Sequence, residues 1–228
     1  TFFALRRKGS ESHYRGLGSW LIKSPDNAKT WSEPQLISPY YCSSPVRQLS
    51  SGTLILGLYF QEGEEASGAV TLSANNGKTW SLPIDIPTGG RSLDAETDII
   101  ELKDGRLYAV QRPREGEMAY STSSDDGKTW SESKPIGFPG HCPYLHRAPD
   151  DTIICAHRLP KTSLHFSRDE CQTWSENVLV DDVIGAYPSM VTLKDDSILI
   201  VYYEEGERSN IRARKFRMTE QGVEWLRW

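Results

Sequence analysis

Short apolar runs bounded by turn-forming residues follow one another along the whole chain, and no segment sustains a 3.6-residue apolar period. Ser51-Gly52-Thr53-Leu54-Ile55-Leu56, Asp104-Gly105-Arg106-Leu107-Tyr108, Asp151-Thr152-Ile153-Ile154 and Asp196-Ser197-Ile198-Leu199-Ile200 each read as a tight turn delivering the chain into a strand. Another strand is predicted before each of them, over 45–49, 97–102, 143–146 and 189–193. A third follows, as in Ala69-Val70-Thr71-Leu72-Ser73, and segments such as 83–86 supply a fourth. The pattern predicts an all-β protein with almost no helix.

A second signal repeats in step with the strands. Ser24, Asp26, Ala28, Thr30 and Trp31 recur as Ser73, Asn75, Gly77, Thr79 and Trp80, then as Ser123, Asp125, Gly127, Thr129 and Trp130. They return once more as Ser167, Asp169, Cys171, Thr173 and Trp174. The tryptophans at 31, 80, 130 and 174 stand 49, 50 and 44 residues apart, a period that suits the four-stranded blade of a β-propeller. In each copy the Asp side chain can accept backbone N–H groups further on and close an Asx-type turn. Glycine supplies a positive φ there, and the Trp is expected to pack between blades. Asn75 keeps the turn chemistry without the charge, whereas Ala28 and Cys171 replace the glycine and predict looser or differently shaped turns. The units run approximately 1–40, 41–90, 91–140, 141–184 and 185–228, one propeller domain over 1–228. Thr1-Phe2-Phe3-Ala4-Leu5 aligns with Thr53-Leu54-Ile55-Leu56-Gly57, the second strand of its unit, so the chain is expected to begin in mid-blade.

Composition narrows the function. The 228 residues are 37% hydrophobic and 25% charged, ordinary for a soluble globular protein. A net charge of −5 carries no basic patch of the kind nucleic-acid binders show. No apolar stretch reaches the roughly 18 residues of a membrane span, and the first seven residues do not resemble a signal peptide. Neither nucleic acid nor membrane is expected as a partner. The cysteines at 42, 142, 155 and 171 form no CxxC pair, which speaks against a zinc site, and no cofactor or metal is expected. Cys142 and Cys155 flank a predicted hairpin and can meet across it, although buried free thiols are the favoured reading.

On these boxes and strands the chain resembles the sialidase (neuraminidase) superfamily, in its Asp-box (BNR) repeat branch. The resemblance implies a six-bladed fold and a retaining exo-glycosidase. Such enzymes hold the substrate carboxylate with three arginines and attack with a tyrosine activated by a glutamate, while an aspartate serves as acid/base. A tyrosine nucleophile departs from the usual carboxylate pair; a neutral phenol avoids the repulsion that an anionic sugar would impose on a carboxylate. Asp94-Ala95-Glu96-Thr97-Asp98 resembles the segment that bears the glutamate, giving Glu96 that role. Arg112 and Arg158 resemble the second and third triad arginines, with Arg147 and Lys161 as competitors for the latter. Gly185-Ala186-Tyr187-Pro188 resembles the tyrosine segment, with Tyr187 as nucleophile. Glu204 matches a carboxylate read as structural. Apart from the resemblance, the five histidines show no ligand spacing and read as ordinary hydrogen-bonding residues; His141 and His157, nearest the expected pocket, are also candidate substrate contacts.

Two features depart from the family pattern. The first triad arginine belongs on an innermost strand that precedes this chain's first residues, and Ser10, Glu11 and Ser12 offer no aspartate for the acid/base. The expectation is a six-bladed fold with its first blade missing, or a five-bladed ring; an open ring would expose an edge strand and invite oligomers. The functional reading is therefore a sialidase-like glycoside hydrolase acting on a sialoside or other anionic glycan, weak or inactive as given. The alternative is a non-catalytic propeller that binds a glycan or a protein. Each site residue also has a plainer reading: Glu96 as one acid of a solvated turn, Arg112 as a surface charge, Tyr187 as a core aromatic. The resemblance favours a secreted or periplasmic protein, and a cytoplasmic one is compatible with the sequence.

Overall fold

In a computed structural model the described residues are 2–7, 14–62, 65–206 and 209–227; Ser10, Glu11 and Ser12 lie outside them. Among the described residues nineteen strands form five antiparallel sheets, each a meander in chain order. The first sheet has three strands, β1 (Phe2–Arg7), β2 (Tyr14–Leu21) and β3 (Gln35–Ser38). The second holds β4 (Arg47–Gln48), β5 (Leu54–Glu62), β6 (Glu65–Ser73) and β7 (Ile84–Asp85). The third holds β8 (Leu93–Glu101), β9 (Leu107–Pro113), β10 (Glu117–Ser123) and β11 (Lys134–Pro139). The fourth runs β12 (His141–Arg147), β13 (Ile153–Arg158), β14 (Thr162–Ser167) and β15 (Val178–Asp181). The fifth runs β16 (Gly185–Thr192), β17 (Ile198–Glu204), β18 (Ile211–Thr219) and β19 (Gly222–Leu226). The expected five units are thus blades of an all-β propeller, the first showing three strands among the described residues.

Alternation along the second strands explains how the blades pack. Leu107 and Ala109 join Ile55, Val70 and Ile99 in one apolar cluster, while Tyr108 and Val110 join Leu145, Ile153 and Cys155 in the next. Ile154 and Ala156 turn the other way, onto Met190, Ile198, Tyr202 and Phe216. Each such strand buries both faces, because successive side chains point to opposite sides. That is why these runs are continuously apolar instead of alternating with polar residues. The box tryptophans cap three of the clusters: Trp80, Trp130 and Trp174 lie against them, whereas Trp31 is exposed. All four cysteines are free and buried, and it is Leu145, not Cys142, that stands opposite Cys155.

The four boxes have one geometry, which corrects the expectation for Ala28 and Cys171. In the third, Asp125 Oδ1 accepts the Thr129 N–H at 2.9 Å and Oδ2 the Thr129 hydroxyl at 2.7 Å. Asp26 receives Thr30 in the same way at 2.8 and 2.7 Å. Ser24 Oγ accepts the Ala28 N–H as Ser123 Oγ accepts that of Gly127. Ala28 (φ 64°) and Cys171 (φ 66°) simply adopt the left-handed backbone that Gly77 (φ 71°) and Gly127 (φ 83°) adopt, because the hydrogen bonds of the turn outweigh the strain. That conformation costs a residue with a Cβ about 1–2 kcal/mol. Ala28 is exposed, so Ala28→Gly relieves the strain without opening a cavity. It is expected to raise the unfolding free energy by about 1 kcal/mol in urea denaturation; an unchanged or lower midpoint would contradict this account.

Candidate active site

Three innermost strands, β8, β12 and β16, open with the same irregularity. Pairing is interrupted between Leu93 and Thr97, between His141 and Tyr144, and between Ala186 and Ser189. Each interruption contains a residue in the left-handed region: Ala95 (φ 61°), Cys142 (φ 53°) and Tyr187 (φ 48°). Bulges of this kind re-aim side chains and end strand pairing. That on β8 is the largest: Leu93 faces Pro113 and Thr97 faces Gln111, so β8 carries two residues more than β9 over that stretch. Glu96 sits in it.

The Tyr187 hydroxyl donates to Glu96 Oε1 at 2.5 Å, across 91 residues of sequence. Arg112 Nη1 approaches the same oxygen at 3.2 Å, and the Cys142 N–H donates to Oε2 at 3.1 Å. Glu96 is only 3% exposed, yet both of its oxygens have partners. Arg112 Nη2 also reaches Asp94 Oδ2 at 2.9 Å, so one guanidinium spans two carboxylates. Arg158 pairs with Glu205 and lies within electrostatic reach of Glu96 and Cys142. Arg112 Nε and Arg158 Nε are both buried without a hydrogen-bond partner.

Burial pushes the Tyr187 phenol well above the ordinary tyrosine range, and the charge and hydrogen bond of Glu96 push it further the same way. The phenol is therefore neutral at neutral pH, with its proton already directed at a carboxylate. Burial likewise pushes the Cys142 thiol up to about 12, with the Glu96 charge adding to it, so this sulfur stays protonated. The His141 imidazole is held below its usual value, first by burial and then by the Arg112 and Arg158 charges. It is a neutral group beside both arginines. Tyr203 stacks on Tyr187 with ring centroids 6.2 Å apart, which fixes one side of the phenol while Tyr187 stays 42% exposed on the other.

Glu96, Arg112 and Tyr187 are thus in direct contact, and Arg158 stands close by in the same field. Neither competitor shares this location: Arg147 pairs with Glu170, and Lys161 with Asp182. Glu204 binds Arg212 and Asn210, away from the cluster. His157 is the ordinary hydrogen-bonding histidine the sequence suggested and not a substrate contact. It is fully buried, its Nε2 lies 2.8 Å from His165 Nδ1, and it packs against Phe138. Burial holds it at about 3, and it has no surface to offer a substrate. Sequence reasoning missed Asp94 as a partner of Arg112 and Glu205 as the partner of Arg158. The latter was within reach by alternation: Tyr202 and Glu204 turn to Asp181 and Arg212, so Tyr203 and Glu205 share the opposite side.

A family model described as a BNR repeat-like domain matches residues 6–198. A curated sialidase of Bacteroides fragilis is 31% identical over 124 residues, 49% of this chain and 22% of that protein. An anhydrosialidase of Macrobdella decora is 28% identical over 127 residues, 50% of this chain and 16% of that protein. The match spans less than a quarter of the length of either relative. Among solved structures, a protein of unknown function from Dyadobacter fermentans superposes with a TM-score of 0.77 at 18% identity. That superposition covers 93% of this chain and 66% of the other. The intramolecular trans-sialidase of Ruminococcus gnavus, in complex with oseltamivir carboxylate, gives 0.70 at 17% identity over 97% of this chain and 59% of its own. At such identities the structural likeness speaks for the fold. The chain belongs to the BNR repeat-like family of the sialidase superfamily.

Proposed function

We propose that this site acts on an acidic sugar as a retaining glycosidase, with Tyr187 as nucleophile and Glu96 as its base. The observation that carries the reading is the 2.5 Å hydrogen bond from the Tyr187 hydroxyl to a buried carboxylate. A phenol with a raised pKa is a poor nucleophile alone and needs a base aligned with its proton. In the proposed step Tyr187 Oη bonds to the anomeric carbon as its proton passes to Glu96 Oε1. The bond to the leaving oxygen breaks, and that oxygen departs as an alcohol, protonated by water or by an acid outside these residues. Arg112 and Arg158 suit the sugar carboxylate, because a planar guanidinium binds it through two parallel hydrogen bonds. Water then releases the sugar from Tyr187 with retained configuration. The sialidase named among the relatives, and the trans-sialidase among the structural neighbours, support a sialoside as the first substrate to try.

The test is incubation with a fluorinated sialosyl fluoride, followed by mass spectrometry of the digested protein. A covalent adduct is expected on the peptide containing Tyr187, and none in Tyr187→Phe. Reversible binding with no adduct would sink the catalytic reading and leave a glycan-binding propeller in its place.

A further inference from the structure

Three histidines of β12–β14 have a protein partner, and a fourth does not. His146 meets the Thr192 hydroxyl at 2.9 Å, and His157 and His165 hold each other at 2.8 Å. The His141 ring has no hydrogen bond among the described residues, and it is half-buried. It opens β12, directly across from Arg158 of β13. Residues opposite each other in an antiparallel pair share a face of the sheet, with Cβ atoms about 4.5–5.5 Å apart. The imidazole therefore borders the Arg158 side chain, and the Arg112 charge reaches it as well.

The backbone on either side of the ring is pinned. A Cβ at Gly140 would stand 2.7 Å from Met118 Cε and 2.9 Å from His157 Cγ, so glycine lets the chain enter β12 this close to its neighbours. Cys142 takes left-handed backbone and donates its N–H to Glu96 Oε2. The charges around the ring are mixed. Arg112 reaches it from β9 and Arg158 from β13, with Asp94 and Glu96 opposing them from β8. Glu205, after β17, pairs with Arg158, and Tyr187 of β16 joins through Glu96. Burial and the two guanidinium charges keep the ring neutral against the pull of the carboxylates. Tyr187, Cys142 and His157 are neutral beside it. A sugar carboxylate held by the two arginines would cancel the positive charge that the ring feels. An imidazolium would then have an ionised hydrogen-bond acceptor, and a ligand that draws in a proton binds more tightly at lower pH.

We propose that His141 is a proton-coupled contact for the acidic sugar, taking up one proton as the carboxylate settles between Arg112 and Arg158. It rests on the reading of those arginines as the holders of the sugar carboxylate. The experiment is an NMR titration of the full chain with methyl α-sialoside at about pH 7.5 and about pH 5.5, a range that brackets histidine. The free ring titrates below the ordinary histidine value, so the gain grows as pH falls toward it. Wild type is expected to bind about three- to tenfold more tightly at the lower pH, the effect of one added proton. His141→Asn should lose that gain, and His141→Lys, a cation at both pH values, should bind alike at both. Asp94, Glu96 and Glu205 are common to all three proteins, so any pH dependence they cause survives in His141→Asn. A pH response of equal size in wild type and His141→Asn, or none in wild type, overturns the coupling and leaves the acidic-sugar reading in place. No binding by wild type at either pH removes both. If His141→Asn fails to fold by its urea midpoint, the wild-type histidine ring C–H resonances decide. One of them should titrate at higher pH with the sugar than without it, and unchanged titration of all of them overturns the proposal.

Discussion

Alanine in place of Asp98 is expected to lower the unfolding free energy by about 3–5 kcal/mol. Asp98 is 1% exposed and lies at the centre of three blades. Its Oδ1 accepts Arg47 Nε at 3.0 Å and its own neighbour, the Ile99 N–H, at 2.8 Å. Its Oδ2 accepts Arg47 Nη2 at 2.5 Å and the Leu145 N–H at 2.6 Å. Arg47 in turn donates to the Leu145 carbonyl at 2.6 Å and lies over the Tyr144 ring. Removing the carboxylate strands a guanidinium and leaves the buried Leu145 N–H unsatisfied, which alone costs about 1–3 kcal/mol. Arg47 is 22% exposed, and the water that reaches it places the loss in the lower half of that range. Asp98→Asn, which keeps an acceptor, should lose less. Urea midpoints of the two variants, with wild-type m-values, are the measurement; an Asp98→Ala protein within 1 kcal/mol of wild type would show that the blades are held together by apolar packing alone.

The same strand shows how far a sequence can be read. The acids Asp94, Glu96, Asp98 and Glu101 look like a solvated turn when only spacing is considered. Folded, they lie along one innermost strand and serve four different purposes. Asp94 meets Arg112 on the next strand, and Glu96 meets Tyr187 of the fifth blade. Asp98 ties the second and fourth blades, and Glu101 accepts the Ser50 N–H of the second at 2.7 Å. The repeat, the strand order and the place of the box turns were legible because each is a local matter: turn residues, period-2 alternation and a tryptophan every 44–50 residues. Partner choice among these acids was not, because it depends on where bulges shift the register, and a bulge leaves no residue signature of its own. Ala95, Cys142 and Tyr187 all take left-handed backbone without being glycine.

Resemblance carried the proximity of Tyr187 and Glu96 where periodicity was silent. Position along the chain was a poorer guide at one place. His157 sits one residue before Arg158, and in a strand that difference sends it to the opposite face, into the core with Phe138 and His165. Glu204, read as structural, does bind Arg212 and Asn210, while its neighbour Glu205 makes the contact with Arg158. At both places one step along the strand carries a side chain to the other side of the sheet.

Glutamine in place of Glu96 is expected to slow formation of the Tyr187 adduct by about 10²–10⁴-fold, the usual contribution of a positioned base, while binding of methyl α-sialoside changes much less. The amide keeps the shape of the carboxylate and can still accept the Tyr187 hydroxyl through its carbonyl oxygen, yet it cannot take the proton. It also has one acceptor where the carboxylate has two, so the Cys142 N–H or the Tyr187 and Arg112 side must face an NH₂ group. The carboxylate charge and its hydrogen bond both raise the Tyr187 pKa, so the variant's phenol should ionise at lower pH than the wild type's. That shift is read from phenolate absorbance, wild type less Tyr187→Phe, and needs no turnover. A lower phenol pKa together with a slower adduct separates a base from a mere neighbour: a group that only positioned Arg112 would weaken sialoside binding and leave the chemical step untouched. Glu96→Asp sharpens the distinction, since it retains the charge but withdraws the oxygen from the 2.5 Å contact. An adduct forming at the wild-type rate in Glu96→Gln would remove Glu96 from the chemistry and, with it, the reason to regard Tyr187 as a nucleophile.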